Sequence, residues 1–267
     1  MWRLIRRIWI TLGITATVIF VAWSLWAYRP TAEARTAIAS DASVTVVRGD
    51  TWWRFVPRAP RGDVGLLFFP GALVDPVAYA PLVRGVAAAG YHALLVEVPR
   101  RGAFDGADGP EVFNRAREAT RAIPQVSRWV VGGHSRGGVI AARAVNGGLA
   151  GMAGLVLVGT SHPRDFSLAH VTIPVTRIYG TRDTIADVEK LEANRRNLPA
   201  SIRDVRIDGG NHSQFGSYGF QPGDWPATIS RGHQQRLTLE GILETLAELD
   251  ARGEAGSIDG AARARSR

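Results

Sequence analysis

Residues 129–138 read WVVGGHSRGG, and this stretch predicts the fold around it. A run of β-branched and aromatic residues, typical of a strand, ends in glycines, and an alanine-rich helical pattern follows. Between them, Ser135 stands in a Gly-x-Ser-x-Gly arrangement with Gly133 and Gly137. Glycine suits these flanking positions because it has no Cβ to collide with the neighbouring backbone of a tight turn. The pattern therefore predicts a nucleophile elbow, a strand-turn-helix that exposes the Ser135 hydroxyl above a sheet.

Short apolar runs alternate with helical patterns along the rest of the chain. Strands are predicted at 44–48, 51–56, 64–69, 92–96, 128–131, 155–158, 175–179 and 202–207. Helices are predicted at 75–89, 110–123, 136–145, 187–197 and 230–251. Because strands that alternate with helices favour a parallel sheet covered on both faces, we expect one α/β domain over residues 44–251. Residues 29–43 are interpreted as a linker, and the basic residues 252–267 as a disordered tail.

The N-terminal segment, residues 1–28, predicts a membrane anchor. No charged residue occurs from Ile8 to Tyr28, a length close to the ~20 residues that span a bilayer as a helix. Arginines precede the apolar run, which favours a cytoplasmic N-terminus and an extracytoplasmic catalytic domain. Tryptophans near its ends suit the membrane interface. The alternative is a signal peptide cleaved near Ala22-Trp23-Ser24, which would leave a secreted protein.

Composition restricts the class of protein. The chain has 267 residues, 46% of them hydrophobic, which is enough for one large domain with a full core. Arginine supplies nearly all of the positive charge behind the net +8, and no basic stripe interleaves with aromatic residues, so nucleic-acid binding is not expected. The chain has no cysteine, which excludes disulfides and Cys-ligated metals. No histidine pair has ligand spacing on one helix, and we predict neither a metal nor another cofactor.

A serine hydroxyl needs a base, and the base needs a third group that holds its tautomer. Asp183 follows the predicted strand 175–179, and His212 follows the predicted strand that ends at Ile207. Both therefore lie where the carboxyl ends of parallel strands converge with Ser135. We predict Ser135 as nucleophile, His212 as base and Asp183 as the orienting acid. Asp187 is the substitute acid, although it stands where the next helix should begin.

The negative charge of a tetrahedral intermediate also needs backbone N–H donors, the oxyanion hole. One donor is expected from Arg136, the residue after the nucleophile. The other is expected from the loop after the strand 64–69, where Ala72 is the first choice and Leu73 the second.

Five stretches carry a resemblance to a known family: FFPGALVDPVAYAPL, GYHALLVEVP, GGHSRGG, YGTRD and GGNHSQFGSYGFQPGD. From about residue 51 to 251 the chain resembles the α/β-hydrolase superfamily, and more narrowly the bacterial membrane-anchored α/β-hydrolase fold-5 group. The resemblance implies the α/β-hydrolase fold and a serine hydrolase with Ser135, Asp183 and His212 as its triad. The chain departs from many relatives at Pro70-Gly71, where they carry His-Gly, and at Arg136, where they carry an apolar residue. Neither departure removes the backbone N–H of Ala72 or of Arg136, the two predicted donors.

The predicted substrate is a small or lipid-like carboxylic ester. The segment between Thr160 and Val175 is too short for a large cap domain, so we expect an open site beside the membrane. Arg100, Arg101 and Arg136 suggest a preference for acidic or phosphate-bearing substrates. A thioesterase, amidase or lactonase could use the same triad, and a non-catalytic binding protein could use the same fold.

Overall fold

The computed structural model describes the backbone of residues 1–265 and the side chains of residues 1–253. Eight strands form one sheet: β1 (Val44–Arg48), β2 (Trp52–Pro57), β3 (Val64–Phe69), β4 (His92–Val96), β5 (Arg128–His134), β6 (Met152–Val158), β7 (Val175–Gly180) and β8 (Arg203–Ile207). Their order in space is β1-β2-β4-β3-β5-β6-β7-β8. The β1-β2 and β2-β4 pairs are antiparallel, and every other pair is parallel. The predicted mostly parallel sheet is confirmed.

The order of the strands places the loops after β3 and β5 side by side. The chain passes from β3 outward to β4 and then returns to the opposite side of β3 as β5. Phe69 at the end of β3 pairs with Gly133 near the end of β5. Open α/β sheets bind ligands beyond the carboxyl ends of their strands, at such a reversal of strand order. The loop that follows β3 therefore begins next to the predicted elbow.

Seven α-helices accompany the sheet in the described residues: α1 (Trp2–Ala27), α2 (Ala32–Thr36), α3 (Ala80–Ala88), α4 (Pro110–Arg121), α5 (Arg136–Arg143), α6 (Val188–Ala193) and α7 (Arg231–Arg265). Buried side chains of α3 and α7 pack on one face of the sheet, and those of α4 and α5 pack on the other. All six residues of β3 are buried, as expected for a strand covered on both faces. Helices on both faces confirm the predicted layering.

Several predicted boundaries differ from the structure. The predicted helix 75–89 begins as a 3-10 turn, Pro76–Tyr79, which Asp75 caps by accepting a hydrogen bond from the N–H of Val77, and only then continues as α3. The predicted helix 187–197 is the short α6 followed by a 3-10 turn. Helix α7 continues to Arg265 without a break at 251, so the predicted tail begins inside a helix. The last two residues of that tail lie outside the described residues.

No helix or strand lies between the end of β6 and the start of β7, within the part of the chain that the structure describes. The absence of a large cap domain agrees with the expectation from the short 160–175 segment. The carboxyl edge of the sheet is consequently not covered by an inserted domain at this position.

Residues 29–43, interpreted from the sequence as a linker, include the helix α2, which Thr31 caps by accepting a hydrogen bond from the N–H of Ala34. Three backbone hydrogen bonds tie the chain leaving α1 to the domain. The carbonyl of Ala27 accepts from Gly219 at 2.9 Å, and the carbonyl of Tyr28 accepts from Asp75 at 3.1 Å. The third bond runs from the N–H of Thr31 to Ser217, at 2.8 Å. These bonds, called the junction bonds below, join α1 directly to the loops that follow β3 and β8.

Helix α1 is long and apolar enough to cross a membrane, and by these properties it could be either a membrane anchor or a signal sequence. Its side chains are exposed along most of its length, and only Ser24 and Ala27 near its end are buried. Exposed apolar side chains on every face are typical of a helix whose natural surroundings are lipid.

Candidate active site

Ser135 lies between β5 and α5 in a strained backbone conformation. Its φ of 53° and ψ of −115° are values that a side chain-bearing residue rarely adopts. The two flanking glycines allow this turn. A Cβ on Gly133 would overlap the backbone of Gly137, and a Cβ on Gly137 would overlap the carbonyl oxygen of Phe69. The strand-turn-helix that the sequence predicts is therefore present, and it requires glycine at both positions.

Asp183 and His212 form a buried hydrogen-bonded pair. His212 Nδ1 lies 2.7 Å from Asp183 Oδ2, and the side chains are 1% and 0% exposed. The other oxygen of Asp183 accepts from the N–H groups of Ile185 at 2.9 Å and Ala186 at 2.8 Å. Because the Asp183 carboxylate can only accept, the imidazole proton of His212 lies on Nδ1. Nε2 then carries no proton and can accept one. His212 Nε2 has no hydrogen-bond partner among the described residues.

Asp187, the substitute acid, lies elsewhere. Its carboxylate caps α6 by accepting from the N–H of Lys190 and forms an ion pair with the ammonium of the same lysine, at 2.6 Å. The structure therefore joins His212 to Asp183 and engages Asp187 in a helix cap.

A second buried carboxylate holds the loop that carries His212. Asp224 accepts from the N–H of His212 at 3.1 Å, and from the N–H and the hydroxyl of Ser213 at 2.8 and 2.9 Å. Gln234 of α7 adds two hydrogen bonds to the backbone of Asn211. These contacts fix the backbone on both sides of the histidine. Sequence reasoning did not identify this role for Asp224, although the residue closes the stretch GGNHSQFGSYGFQPGD.

Ser135, Ala72 and Arg136 line one cavity of about 270 Å³ beyond the carboxyl edge of the sheet. The N–H of Leu73 donates to the carbonyl of Arg101 at 2.7 Å, so this second-choice donor is engaged within the fold. No acceptor for the N–H of Ala72 or of Arg136 is found in the described part of the chain. Both predicted first-choice donors are thus free to bind an oxygen placed beside Ser135.

Tyr79 and His134 form a buried connection that sequence reasoning missed. The Tyr79 hydroxyl accepts from the N–H of Gly71 at 3.1 Å and lies 2.7 Å from His134 Nδ1. Since that oxygen already accepts one hydrogen bond, its own proton is free to be donated to Nδ1. The ring of His134 packs against that of His212, with centroids 4.4 Å apart. Burial, and secondarily the charge that His212 can carry, lower the pKa of His134 well below its usual value. His134 therefore stays neutral where it packs against His212.

The arginines expected near the pocket are all engaged in ion pairs. Arg100 pairs with Glu111 at 3.8 Å, Arg101 with Asp75 at 2.7 Å, and Arg136 with Asp108. Of the three, only Arg136 lines the cavity.

Arg164 is a further cation that lines the cavity, and sequence reasoning did not single it out. Its guanidinium donates to the hydroxyl of Ser161, which also lines the cavity. Among the described side chains it has no carboxylate partner. His162 lines the same cavity, and burial with the nearby charge of Arg164 lowers its pKa to about 4.

Comparisons with known proteins give the family and the fold of the chain. The sequence model of the alpha/beta hydrolase family matches residues 65–236, which is more than half of the chain. No curated protein matches the sequence. The structure is similar to that of TT1662 from Thermus thermophilus, with 18% sequence identity and a TM-score of 0.55 over 76% of this chain and 98% of that one.

Two further solved structures are similar in fold. One comes from work on LipS and LipT, two metagenome-derived lipolytic enzymes, and has 14% identity and a TM-score of 0.55 over 76% of this chain and all of that one. The other is Est1E from Butyrivibrio proteoclasticus, with 12% identity and a TM-score of 0.52 over 77% of this chain and all of that one. At these identities the likeness concerns the fold. The family match and the fold together show that the chain belongs to the alpha/beta hydrolase family, in its fold-5 group.

Proposed function

We propose that the protein is a membrane-anchored serine hydrolase of carboxylic esters. The observation that carries the proposal is the buried hydrogen bond between His212 Nδ1 and Asp183, in a chain whose elbow presents Ser135. A neutral imidazole oriented by a carboxylate is the base that a serine nucleophile needs. The lipolytic activity stated for LipS and LipT, which share this fold, supports an ester as the substrate class.

The chemistry runs in two halves. His212 Nε2 takes the proton of the Ser135 hydroxyl as Oγ bonds to the ester carbonyl carbon, and the carbonyl oxygen becomes an oxyanion. The oxyanion accepts from the N–H groups of Ala72 and Arg136. When the carbon–oxygen bond to the alcohol breaks, His212 returns the proton to the leaving alkoxide, and an acyl-enzyme remains. A water molecule then attacks the acyl carbon, His212 takes its proton, and the carboxylic acid leaves as Oγ regains a proton.

The size of the cavity indicates a small acyl or alcohol group at the reacting carbon. A volume of about 270 Å³ lies just below the range typical of drug-sized ligands, about 300 Å³ and above. Because no cap covers this part of the edge, the remainder of a longer ester can extend into the surroundings. On this basis we propose that the substrates are small or lipid-like esters.

Labelling with a fluorophosphonate probe tests the nucleophile. The full-length protein should react, and Ser135→Ala should lose both labelling and ester hydrolysis, the latter by on the order of 10⁴-fold or more. Asp208→Asn is the matched control, since Asp208 is a surface carboxylate whose one ion pair among the described side chains is with Arg206. Labelling that survives Ser135→Ala would refute the assignment. A panel of p-nitrophenyl esters of increasing acyl length then defines the substrate range.

We propose further that α1 is retained as an anchor, with the catalytic domain outside the cytoplasm. The buried Ser24 and the ring contact of Trp23 with Tyr28, at 5.8 Å between centroids, support retention, because cleavage after Ser24 would remove Ser24 and one ring of this pair. The chain has no cysteine, so single cysteines can report topology. A membrane-impermeant maleimide should label Arg206→Cys but not Trp2→Cys in intact cells. The reverse pattern would overturn the orientation, and a mature protein lacking residue 2 would overturn retention.

A further inference from the structure

A second and larger cavity lies away from Ser135, where α1 meets the domain. It has a volume of about 570 Å³, and its lining is predominantly apolar. Trp23 and Trp26 of α1 form one side, and Tyr218 and Phe220 of the loop that carries His212 form the other. Trp26 and Phe220 are 60% and 61% exposed, which is unusual for side chains of this size on a soluble surface. This cavity is called the junction groove below.

Three arginines line the junction groove, and no acidic residue does. The guanidinium of Arg29 lies over the ring of Trp26, with 4.8 Å to the ring centroid. Arg35 donates to the carbonyl of Pro30, and Arg231 donates to the carbonyl of Tyr218. None of the three has a carboxylate partner among the described side chains, and Arg231 Nε is buried without an acceptor. The groove therefore has an apolar lining with three arginines that form no ion pair with any described carboxylate.

We propose that the junction groove binds an anionic phospholipid of the membrane in which α1 stands. The phosphate would accept hydrogen bonds from Arg29 and Arg231, and an acyl chain would lie against Trp26 and Phe220. The site is continuous with the end of the apolar helix, which is where a bilayer has its headgroups and where tryptophan is enriched. The inference rests on the membrane placement proposed above, and it does not depend on the ester-hydrolase chemistry.

The groove is physically connected to the candidate active site. Its Tyr218 and Phe220 belong to the same loop as His212. The N–H of Gly219 donates to Ala27 and the carbonyl of Ser217 accepts from Thr31, so these junction bonds attach that loop to the end of α1 and to the segment after it. Tyr28 also packs edge-on against Tyr218, with ring centroids 5.7 Å apart. A lipid in the groove would therefore brace the loop that carries His212 against the anchor.

Native mass spectrometry of the full-length protein in detergent tests the proposal. Phosphatidylglycerol and phosphatidylcholine with identical acyl chains are added separately, and the populations of bound lipid give the two affinities. We expect phosphatidylglycerol to bind about tenfold more tightly, because only its headgroup carries a net negative charge toward the arginines. Arg29→Gln and Arg231→Gln should each reduce this preference about fivefold.

Arg236→Gln is the matched control, because it removes the same charge from α7 at a residue that does not line the groove. Arg29 is exposed, and its side chain makes no hydrogen bond to any residue that the structure describes. Its variant therefore keeps the test valid if Arg231→Gln fails to fold. Equal affinity for the two lipids, or an unchanged preference in Arg29→Gln, would overturn the proposal. Displacement of the lipid by inorganic phosphate would overturn the assignment to a lipid. Fluorophosphonate labelling of the wild-type protein reports on Ser135 whichever lipid is bound, so it separates this result from the fate of the hydrolase proposal.

Discussion

The hydrogen bonds around single residues show which parts of the site the sequence could predict. Ser135, Asp183 and His212 each follow a strand, so their positions could be inferred from local patterns in the chain. Tyr79 and His134 could not be paired in this way, because 55 residues separate them and neither occurs in a pattern that specifies a partner. The role of Asp224 could not be predicted either, since its partners include backbone N–H groups that only the folded loop brings near. Tyr79, His134 and Asp224 were therefore missed, whereas the three residues of the candidate triad were predicted.

Asp224→Asn should slow ester hydrolysis without affecting substrate binding. The carboxylate accepts three hydrogen bonds from His212 and Ser213. The asparagine amide has one acceptor oxygen, and its NH₂ group would face N–H or O–H donors of these residues. We expect kcat to fall at least about tenfold, with KM changed little, as the histidine loses its fixed position. The comparison is with Asp208→Asn at the surface. Unaltered kcat in Asp224→Asn would show that the loop is held by other contacts.

Tyr79→Phe should also act through position. The substitution removes the hydroxyl that links the N–H of Gly71, beside the predicted oxyanion donor Ala72, to His134 beneath His212. We expect kcat to fall by about tenfold and KM to change little. Tyr218→Phe is the control, because it removes another buried tyrosine hydroxyl, whose one hydrogen bond within the described residues is to Gln221. An equal loss in both variants would mean that the effect is general destabilisation.

At the level of helices and strands, burial and glycine content account for both the successes and the errors of prediction. Continuous apolar runs such as β3 were recognisable because both of their faces are covered. β5 continues through two glycines to His134, beyond the predicted end at Val131, because Gly132 and Gly133 pair in register with β6. Glycine is depleted in strands, so a pattern based on side chains ends the strand too early.

The elbow should not tolerate a methyl group. In Gly137→Ala the new Cβ would overlap the carbonyl oxygens of Phe69 and Pro70, and backbone atoms cannot rotate aside. We expect a loss of stability of about 3 kcal/mol or more, seen as a lower Tm or as failure to fold. Gly232→Ala provides the contrast, because a Cβ there meets nothing within 4 Å and alanine favours a helix. An unchanged Tm in Gly137→Ala would mean that α5 can shift away from β3.

For the molecule as a whole, the sequence predicted the fold class, and the structure adds how α1 is attached to the domain. Residues 29–43 have the composition of a linker, yet they contain a capped helix and contribute to the junction bonds. The bonding partners of this segment, Asp75, Ser217 and Gly219, are distant in sequence. A sequence pattern reports local preference, and it cannot show that a polar segment is held by contacts made only after the rest of the chain has folded.

The stability of the whole domain should fall in mildly acidic solution. Burial is the main cause that lowers the pKa of His92 and His134, and it lowers the pKa of His162 to about 4. Because the unfolded chain binds these protons more readily, stability is complete above about pH 6.5 and decreases as the pH falls toward 4. We expect a decline of at most about 1.4 kcal/mol per pH unit for His162 in that interval, and His92 and His134 add to the decline in the same direction.

Thermal unfolding between pH 7 and pH 4.5 measures this dependence. The Tm of the wild-type protein should decrease steadily, and His162→Asn should have a shallower slope because one of the proton acceptors is gone. A Tm independent of pH, or the same slope in His162→Asn, would contradict the interpretation that these histidines are buried in the neutral form.

The junction bonds have a consequence for kinetics. They attach the end of α1 to loops at the carboxyl edge of the sheet, the same edge that carries Ser135 and His212. With α1 in a bilayer, this edge lies at a nearly constant height above the lipid and cannot swing away on a flexible tether. Substrate dissolved in that bilayer would therefore encounter the enzyme by lateral diffusion in two dimensions. Turnover should then follow the mole fraction of ester in the membrane, and dilution with inert lipid should slow it even when the total ester in the sample is unchanged.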